Sequence, residues 1–127
     1  MELCDTLPTI VAFTAKNWCG PCQRLEPELM KLKDNLKFHF LQCDDSEVFG
    51  KQQMLEFGIG GFPTLMIYVP KINKFIICNK RDAISIGEYA CKLQTDLTPE
   101  SYIKLANVYS SHNPCGNVKL HPHGQCK

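Results

Sequence analysis

Trp18-Cys19-Gly20-Pro21-Cys22 stands between an apolar run, Thr9 to Ala15, and a segment of helical pattern, Gln23 to Leu36. The placement reads as two redox-active thiols at a strand-to-helix junction. A helix N-terminus presents backbone N–H groups without intrahelical partners and the positive end of the macrodipole. A cysteine held there is favoured as thiolate over thiol, which makes it a nucleophile near neutral pH.

Upstream, Pro8 marks the turn into Thr9-Ile10-Val11-Ala12-Phe13, whose near-continuous apolar character suits a central strand covered on both faces. Downstream, Leu25, Leu29, Leu32 and Leu36 recur at helical spacing, while Arg24, Glu28, Lys31 and Lys33 fall largely elsewhere and form a solvated face. Pro27 removes one backbone donor from that pattern and predicts a kink near residues 23 to 27. Lys37 to Cys43 reads as a second strand ended by Asp44 and Asp45, with His39 an ordinary half-exposed side chain within it.

Ser46 is the expected cap of a helix over Glu47 to Phe57, and Gly58 its left-handed stop. After the loop Gly60-Gly61-Phe62-Pro63, strands over Thr64 to Val69 and Lys74 to Asn79 flank the turn Pro70 to Asn73 and form an antiparallel hairpin. Ile84 to Leu97 follows as a helix. The order strand, helix, strand, helix, hairpin, helix predicts a right-handed crossover and helices on both faces of a mixed sheet, a three-layer α/β sandwich. Thr98 as cap and Pro99 at the first position open an added helix that runs to Ser110, with a Pro-, Gly- and His-rich tail beyond it.

With 127 residues the chain is expected to form its own core. Its 14 Lys and Arg balance 13 Asp and Glu and are scattered, so charge alone recruits neither nucleic acid nor an anionic membrane. Eight cysteines fall short of the density that marks a disulfide-stapled scaffold. Met1-Glu2-Leu3-Cys4-Asp5 lacks a basic stretch followed by an apolar one, and no apolar run approaches about 18 residues. A soluble protein of a reducing, cytoplasmic compartment is the expectation.

Taken together, Trp18-Cys19-Gly20-Pro21-Cys22 after Val11-Ala12-Phe13-Thr14-Ala15, Pro27 in the helix, Phe57-Gly58-Ile59 leading into Gly61-Phe62-Pro63-Thr64, and Ala83-Ile84-Ser85 before the last helix resemble the thioredoxin family. The likeness covers about residues 9 to 97 and defines residues 1–97 as a thioredoxin-like domain, followed by a helix and a Cys- and His-containing tail over 98–127. It implies that Cys19 is an exposed attacking thiolate and Cys22 a more buried resolving thiol. Pro63 matches the family's cis-proline, and Trp18, Gly20, Pro21, Phe62 and Pro63 form the substrate-binding surface around the sulfurs. No organic cofactor and no metal is implied.

Three departures from the family pattern stand out. Ala12 occupies the place of the usual buried aspartate, and Phe40 that of the lysine that often accompanies it. No obvious carboxylate is left to take the proton from Cys22, since Glu26, one turn further on, reads more readily as a surface glutamate; slower turnover is expected. Lys16-Asn17 lengthens the segment before Trp18 by one residue. The eight residues before Thr9 leave no room for the family's first strand and helix, so the expected sheet has four strands, and the added C-terminal helix is a candidate cover for the surface left open.

Cys43, Cys78 and Cys91 read as small buried apolar side chains and Cys4 as an incidental exposed thiol. Cys115, Cys126 and the tail histidines leave three readings open: a loosely packed tail, a Cys115–Cys126 pair, or a metal site. The function these residues imply is that of a thiol-disulfide oxidoreductase, a thioredoxin-like protein disulfide reductase exchanging through a mixed disulfide. Its partners are disulfide-containing proteins and a thioredoxin reductase or other dithiol reductant. Gly-Pro between the cysteines resembles the reducing members, where histidine in place of Pro21 resembles the oxidising isomerases. The alternative is a low-turnover binding module that docks a partner through the Trp18 and Pro63 surface or through the tail.

Overall fold

The structure, a computed structural model, describes residues 1–95 and, in their backbone, 119–121. Its elements run β1 (Glu2–Cys4), β2 (Thr9–Thr14), α1 (Gly20–Lys33), β3 (His39–Asp44), α2 (Val48–Phe57), β4 (Thr64–Val69), β5 (Lys74–Cys78), α3 (Ala83–Thr95) and β6 (Lys119–His121). The main sheet has the order β3-β2-β4-β5. β2 pairs parallel with β3 (Ile10↔Phe40, Ala12↔Gln42) and antiparallel with β4 (Ile10↔Ile67, Ala12↔Leu65), and β4 and β5 form the expected hairpin.

All six residues of β2 are buried, for the reason its apolar run implied. Side chains alternate across a strand, so Ile10 and Ala12 pack with Leu25, Leu29 and Leu32 of α1 and Ile86, Ala90 and Leu93 of α3. Val11 and Phe13 point the other way, into Leu3, Cys43, Phe57, Met66, Tyr68 and Phe75. On this second face Phe57 of α2 sits 5.3 Å from Phe13 and 4.8 Å from Phe75, ring centre to ring centre, in tilted and edge-on geometries favoured by the ring quadrupoles. The result is the three-layer mixed sandwich with four strands in its main sheet.

Local details correct several sequence expectations. α1 begins at Gly20, three residues earlier than its apolar pattern suggests, because Cys19 caps it and Pro21 fits its first turn. It runs through Pro27 and ends at Asp34, which leaves Leu36, expected on the buried stripe, 77% exposed beyond the helix. α2 starts at Val48, with Glu47 as N-cap and no side-chain cap bond; the Ser46 hydroxyl is engaged by Asp44 instead. Gly58 closes α2 in the left-handed region (φ 64°) as expected. Glu28, read as part of a solvated face, accepts a hydrogen bond from the N–H of Ala83 at 2.9 Å and so satisfies the first turn of α3.

Gly50 lies where α2 touches the end of β3. A Cβ there would meet the Asp44 carbonyl oxygen at 1.9 Å, so only glycine permits this approach.

The termini depart furthest from expectation. Glu2-Leu3-Cys4 forms a short strand whose partner is Lys119-Leu120-His121, in a separate parallel pair (Cys4↔His121). Leu3 and Cys4 are fully buried, and Cys4 is disulfide-bonded, which replaces the reading of an incidental exposed thiol. Cys43 and Cys78 are free and buried, and burial pushes Cys43 up to about 12 and raises Cys78, consistent with inert packing roles. Cys91 is free and half-buried. The helix expected over 98–110 and the three readings of the Cys115/Cys126 tail lie outside the described residues.

Candidate active site

The two thiols are positioned by the backbone of one residue, Ala15, and by one helix start. The Ala15 carbonyl accepts hydrogen bonds from the N–H groups of Cys19 at 2.8 Å and Trp18 at 3.2 Å, while the Ala15 N–H reaches Cys22 Sγ at 3.5 Å. Cys19 is the N-cap of α1, and its Sγ accepts from the N–H of Cys22 at 3.2 Å. The sulfur thus takes the place an oxygen usually fills at a cap, facing the unpaired donors of the first turn.

Both thiols are free. Burial raises Cys22 to about 11, the hydrogen bond its thiol shares with Cys19 adds to this, and the charges of Cys19 and Asp44 act in the same direction. Cys22 therefore keeps its proton at neutral pH. Cys19 is 5% exposed and Cys22 fully buried. Cys19 is recessed rather than openly exposed, with Phe62 packed against the cluster it forms with Ala15 and Cys22.

The remaining residues of the expected substrate surface converge here. Phe62-Pro63 is joined by a cis peptide bond. The Phe62 ring meets Trp18 edge-on at 5.7 Å, and Pro63 shares a hollow with Pro21. Trp18 is 66% exposed, and its Nε1–H donates to the Asp45 carboxylate at 2.8 Å. Gly20 has the Arg24 guanidinium beside it, with Nη1 3.4 Å from where a Cβ would stand.

Behind the dithiol runs a polar chain that the sequence did not announce. Asp44, 1% exposed, accepts four hydrogen bonds: from Thr14 Oγ1 at 2.7 Å, the Lys16 N–H at 2.9 Å, the Ser46 N–H at 3.2 Å and Ser46 Oγ at 2.6 Å. Burial alone would raise its carboxyl, yet these donors outweigh burial and hold it down to about 2. The Gln42 amide donates to Thr14 Oγ1 at 3.1 Å and to Glu26 Oε2 at 3.0 Å. Glu26 is thus a half-buried member of this network, not a plain surface glutamate, and its other oxygen lies 3.9 Å from Lys16 Nζ.

Ala12 is fully buried against the α1 side of the core. Among the described residues, the carboxylate whose charge acts on Cys22 is Asp44, and it is saturated with donors and far too acidic to take a proton at neutral pH. The signal that could have revealed Asp44 is the Asp-x-Ser pairing of Asp44 with Ser46 beyond a strand, a local side-chain-to-backbone turn. Gln42 and Glu26 meet only through the fold and leave no local signature.

A family model described as Thioredoxin matches residues 2–90. The chain is 28% identical over 117 residues to Protein disulfide isomerase-like 2-3 of Oryza sativa subsp. japonica, covering 87% of this chain and 25% of that protein. It is 41% identical over 69 residues to Protein disulfide-isomerase A6 of Mesocricetus auratus, 51% of this chain and 15% of that protein. The chain spans a quarter or less of the length of these curated relatives. Among solved structures, Fasciola hepatica thioredoxin superposes with a TM-score of 0.55 at 19% identity, covering 68% of this chain and 81% of that one, a likeness of fold. Among the described residues, no helix is long and apolar enough to cross a membrane.

Proposed function

The chain belongs to the thioredoxin family, and on that premise we propose that it is a protein disulfide reductase working by dithiol-disulfide exchange at Cys19 and Cys22. The observation that carries this reading is the arrangement of the thiols: Cys19 Sγ caps α1, while the buried Cys22 thiol is hydrogen-bonded to it and stays protonated. Only the thiolate attacks, and a helix-capping Cys19 beside a protonated, buried Cys22 supports Cys19 as the nucleophile and Cys22 as the resolving thiol.

Cys19 sulfur attacks one sulfur of the substrate disulfide, forming a mixed disulfide and releasing the other sulfur as a thiolate. Cys22 then loses its proton and attacks Cys19 sulfur. The Cys19–Cys22 disulfide forms as the second substrate thiolate leaves. The substrate gains two electrons and two protons, and a thioredoxin reductase or other dithiol reductant returns them to the protein. Trp18, Gly20, Pro21, Phe62 and Pro63 form the surface that receives the substrate. Because Asp44 and Glu26 are committed to hydrogen bonds, the Cys22 proton leaves to water or to the departing thiolate, which supports a slower second step than in a protein with a free buried carboxylate.

Cys19→Ser abolishes insulin-type disulfide reduction; residual activity refutes the assignment. Burial of Cys19 beneath Phe62 favours the second reading, a binding module with little turnover. Turnover with thioredoxin reductase and a small disulfide separates the two. A reducing, cytoplasmic setting fits the Gly-Pro dithiol, whereas the disulfide at Cys4 weighs against it, since structural disulfides persist in oxidising compartments. Counting free thiols in protein held at a cytosolic glutathione poise decides: loss of the Cys4 disulfide there removes the objection.

A further inference from the structure

A hollow of about 230 Å³ opens beside the dithiol, lined by Pro21, Arg24, Leu25, Pro63 and Arg81. Its position is set by chemistry already described: Pro21 lies between the two thiols and Pro63 carries the cis bond. Its charge is not explained by the fold. Arg24, on the second turn of α1, reaches back so that its guanidinium lies over Gly20. Arg81, in the loop before α3, is anchored by hydrogen bonds from Nη1 to the carbonyls of Cys78 at 3.2 Å and Lys80 at 3.0 Å.

Among the described residues, neither arginine takes part in an ion pair. The adjacent Asp82 is turned to its own helix, accepting from the N–H of Ser85 at 2.9 Å. The hollow therefore offers two guanidinium groups with unspent donors above an apolar floor of Pro21, Leu25 and Pro63. Guanidinium is the side chain best matched to a carboxylate, through a planar fork of N–H donors.

Resting on the dithiol reading above, we propose that Arg24 and Arg81 select substrates, so that the preferred target is a polypeptide disulfide with an Asp or Glu next to the half-cystine that Cys19 attacks. The half-cystine sits over Cys19, and the acidic neighbour reaches into the hollow. Both arginines are solvent-exposed, so each contact contributes modestly and is screened by salt.

The test uses two disulfide-bridged peptides that differ only in Glu or Gln beside the cystine, reduced by the pre-reduced protein under single-turnover conditions. The Glu peptide reacts about three- to tenfold faster at low ionic strength, and the advantage shrinks as salt rises. In the Arg24→Gln/Arg81→Gln double variant the Glu-to-Gln rate ratio falls to near one, and Arg24→Lys/Arg81→Lys restores part of it. Equal wild-type rates at low salt, or a ratio that persists in the double variant, overturn the inference while leaving the reductase reading intact. Failure to reduce either peptide overturns both. Glutathione disulfide supplies carboxylates from a small molecule; reduction faster than the Glu peptide and dependent on both arginines overturns the assignment to a polypeptide.

Discussion

Replacing Asp44 by asparagine removes the charge that organises the loop leading into the dithiol. In the native protein the carboxyl is held at about 2 against an ordinary 3.8. A depressed folded-state value means the contribution is fully present above the unfolded value and is lost as pH falls through the folded one. That depression corresponds to about 2 kcal/mol, lost between roughly pH 4 and pH 2. The amide adds a second cost. One oxygen can still accept from two of the four donors, but the NH2 group faces the other two, a hydroxyl that can turn to accept and a backbone N–H that is left unsatisfied, raising the total to about 3–5 kcal/mol at pH 7. Urea unfolding of both proteins at pH 7 and across pH 5 to 2 measures this. The native protein should lose stability on acidification more steeply than the variant, by about 2 kcal/mol. A loss at pH 7 below about 0.5 kcal/mol, or parallel pH profiles, refutes the view that the four hydrogen bonds outweigh the burial of Asp44.

Phe62→Ala uncovers Cys19, so iodoacetamide should alkylate it faster at neutral pH, at a cost of about 1–2 kcal/mol in stability; an unchanged alkylation rate removes Phe62 as the cover. Gly50→Ala places a Cβ against the Asp44 backbone, and although alanine favours the helix by about 1 kcal/mol, the forced shift should leave the protein less stable by about 2 kcal/mol net in thermal unfolding. A gain in melting temperature contradicts the contact. Thiolate absorbance during alkaline titration should show Cys22 ionising near 11, a step missing from Cys22→Ser. Because this folded-state value is raised, its contribution to stability is intact below pH 9 and fades as pH climbs toward 11. A Cys22 step near 9 counts against the burial of its thiol and, after it, the hydrogen bond shared with Cys19.

What the sequence revealed was whatever repeats at short range. The apolar run of β2 announced a strand covered on both faces, and the spacing of Leu25, Leu29 and Leu32 announced the buried side of α1. Leu36 continued the same spacing but lies past the Asp34 cap, so periodicity alone extended the helix too far. Gly50, where α2 meets the Asp44 backbone, passed unread, because a glycine inside a helical pattern does not say what approaches it. Asp44 looked like the end of a strand: its two Ser46 donors are local, but Thr14 and the Lys16 N–H reach it only through the parallel pairing of β2 with β3. Cys4 was misread for a similar reason: the strand beside it lies at the far end of the chain, and a terminus judged by its neighbours in sequence offers no hint of that. Of the site, the dithiol and the cis-proline were legible as a motif, whereas the cover over Cys19 and the network behind it depend on tertiary contact.

Trp18 is the chain's single tryptophan, and it sits next to Cys19 in sequence, donates to Asp45 and meets Phe62 edge-on. Indole emission is sensitive to the hydrogen bond at Nε1 and is quenched by a nearby disulfide. Closing the Cys19–Cys22 bond or seating a substrate against Phe62 therefore alters the light from this one fluorophore, and no second indole dilutes the signal. The protein carries its own optical gauge: stopped-flow fluorescence on the unlabelled chain can time each step of the exchange at the place where it occurs.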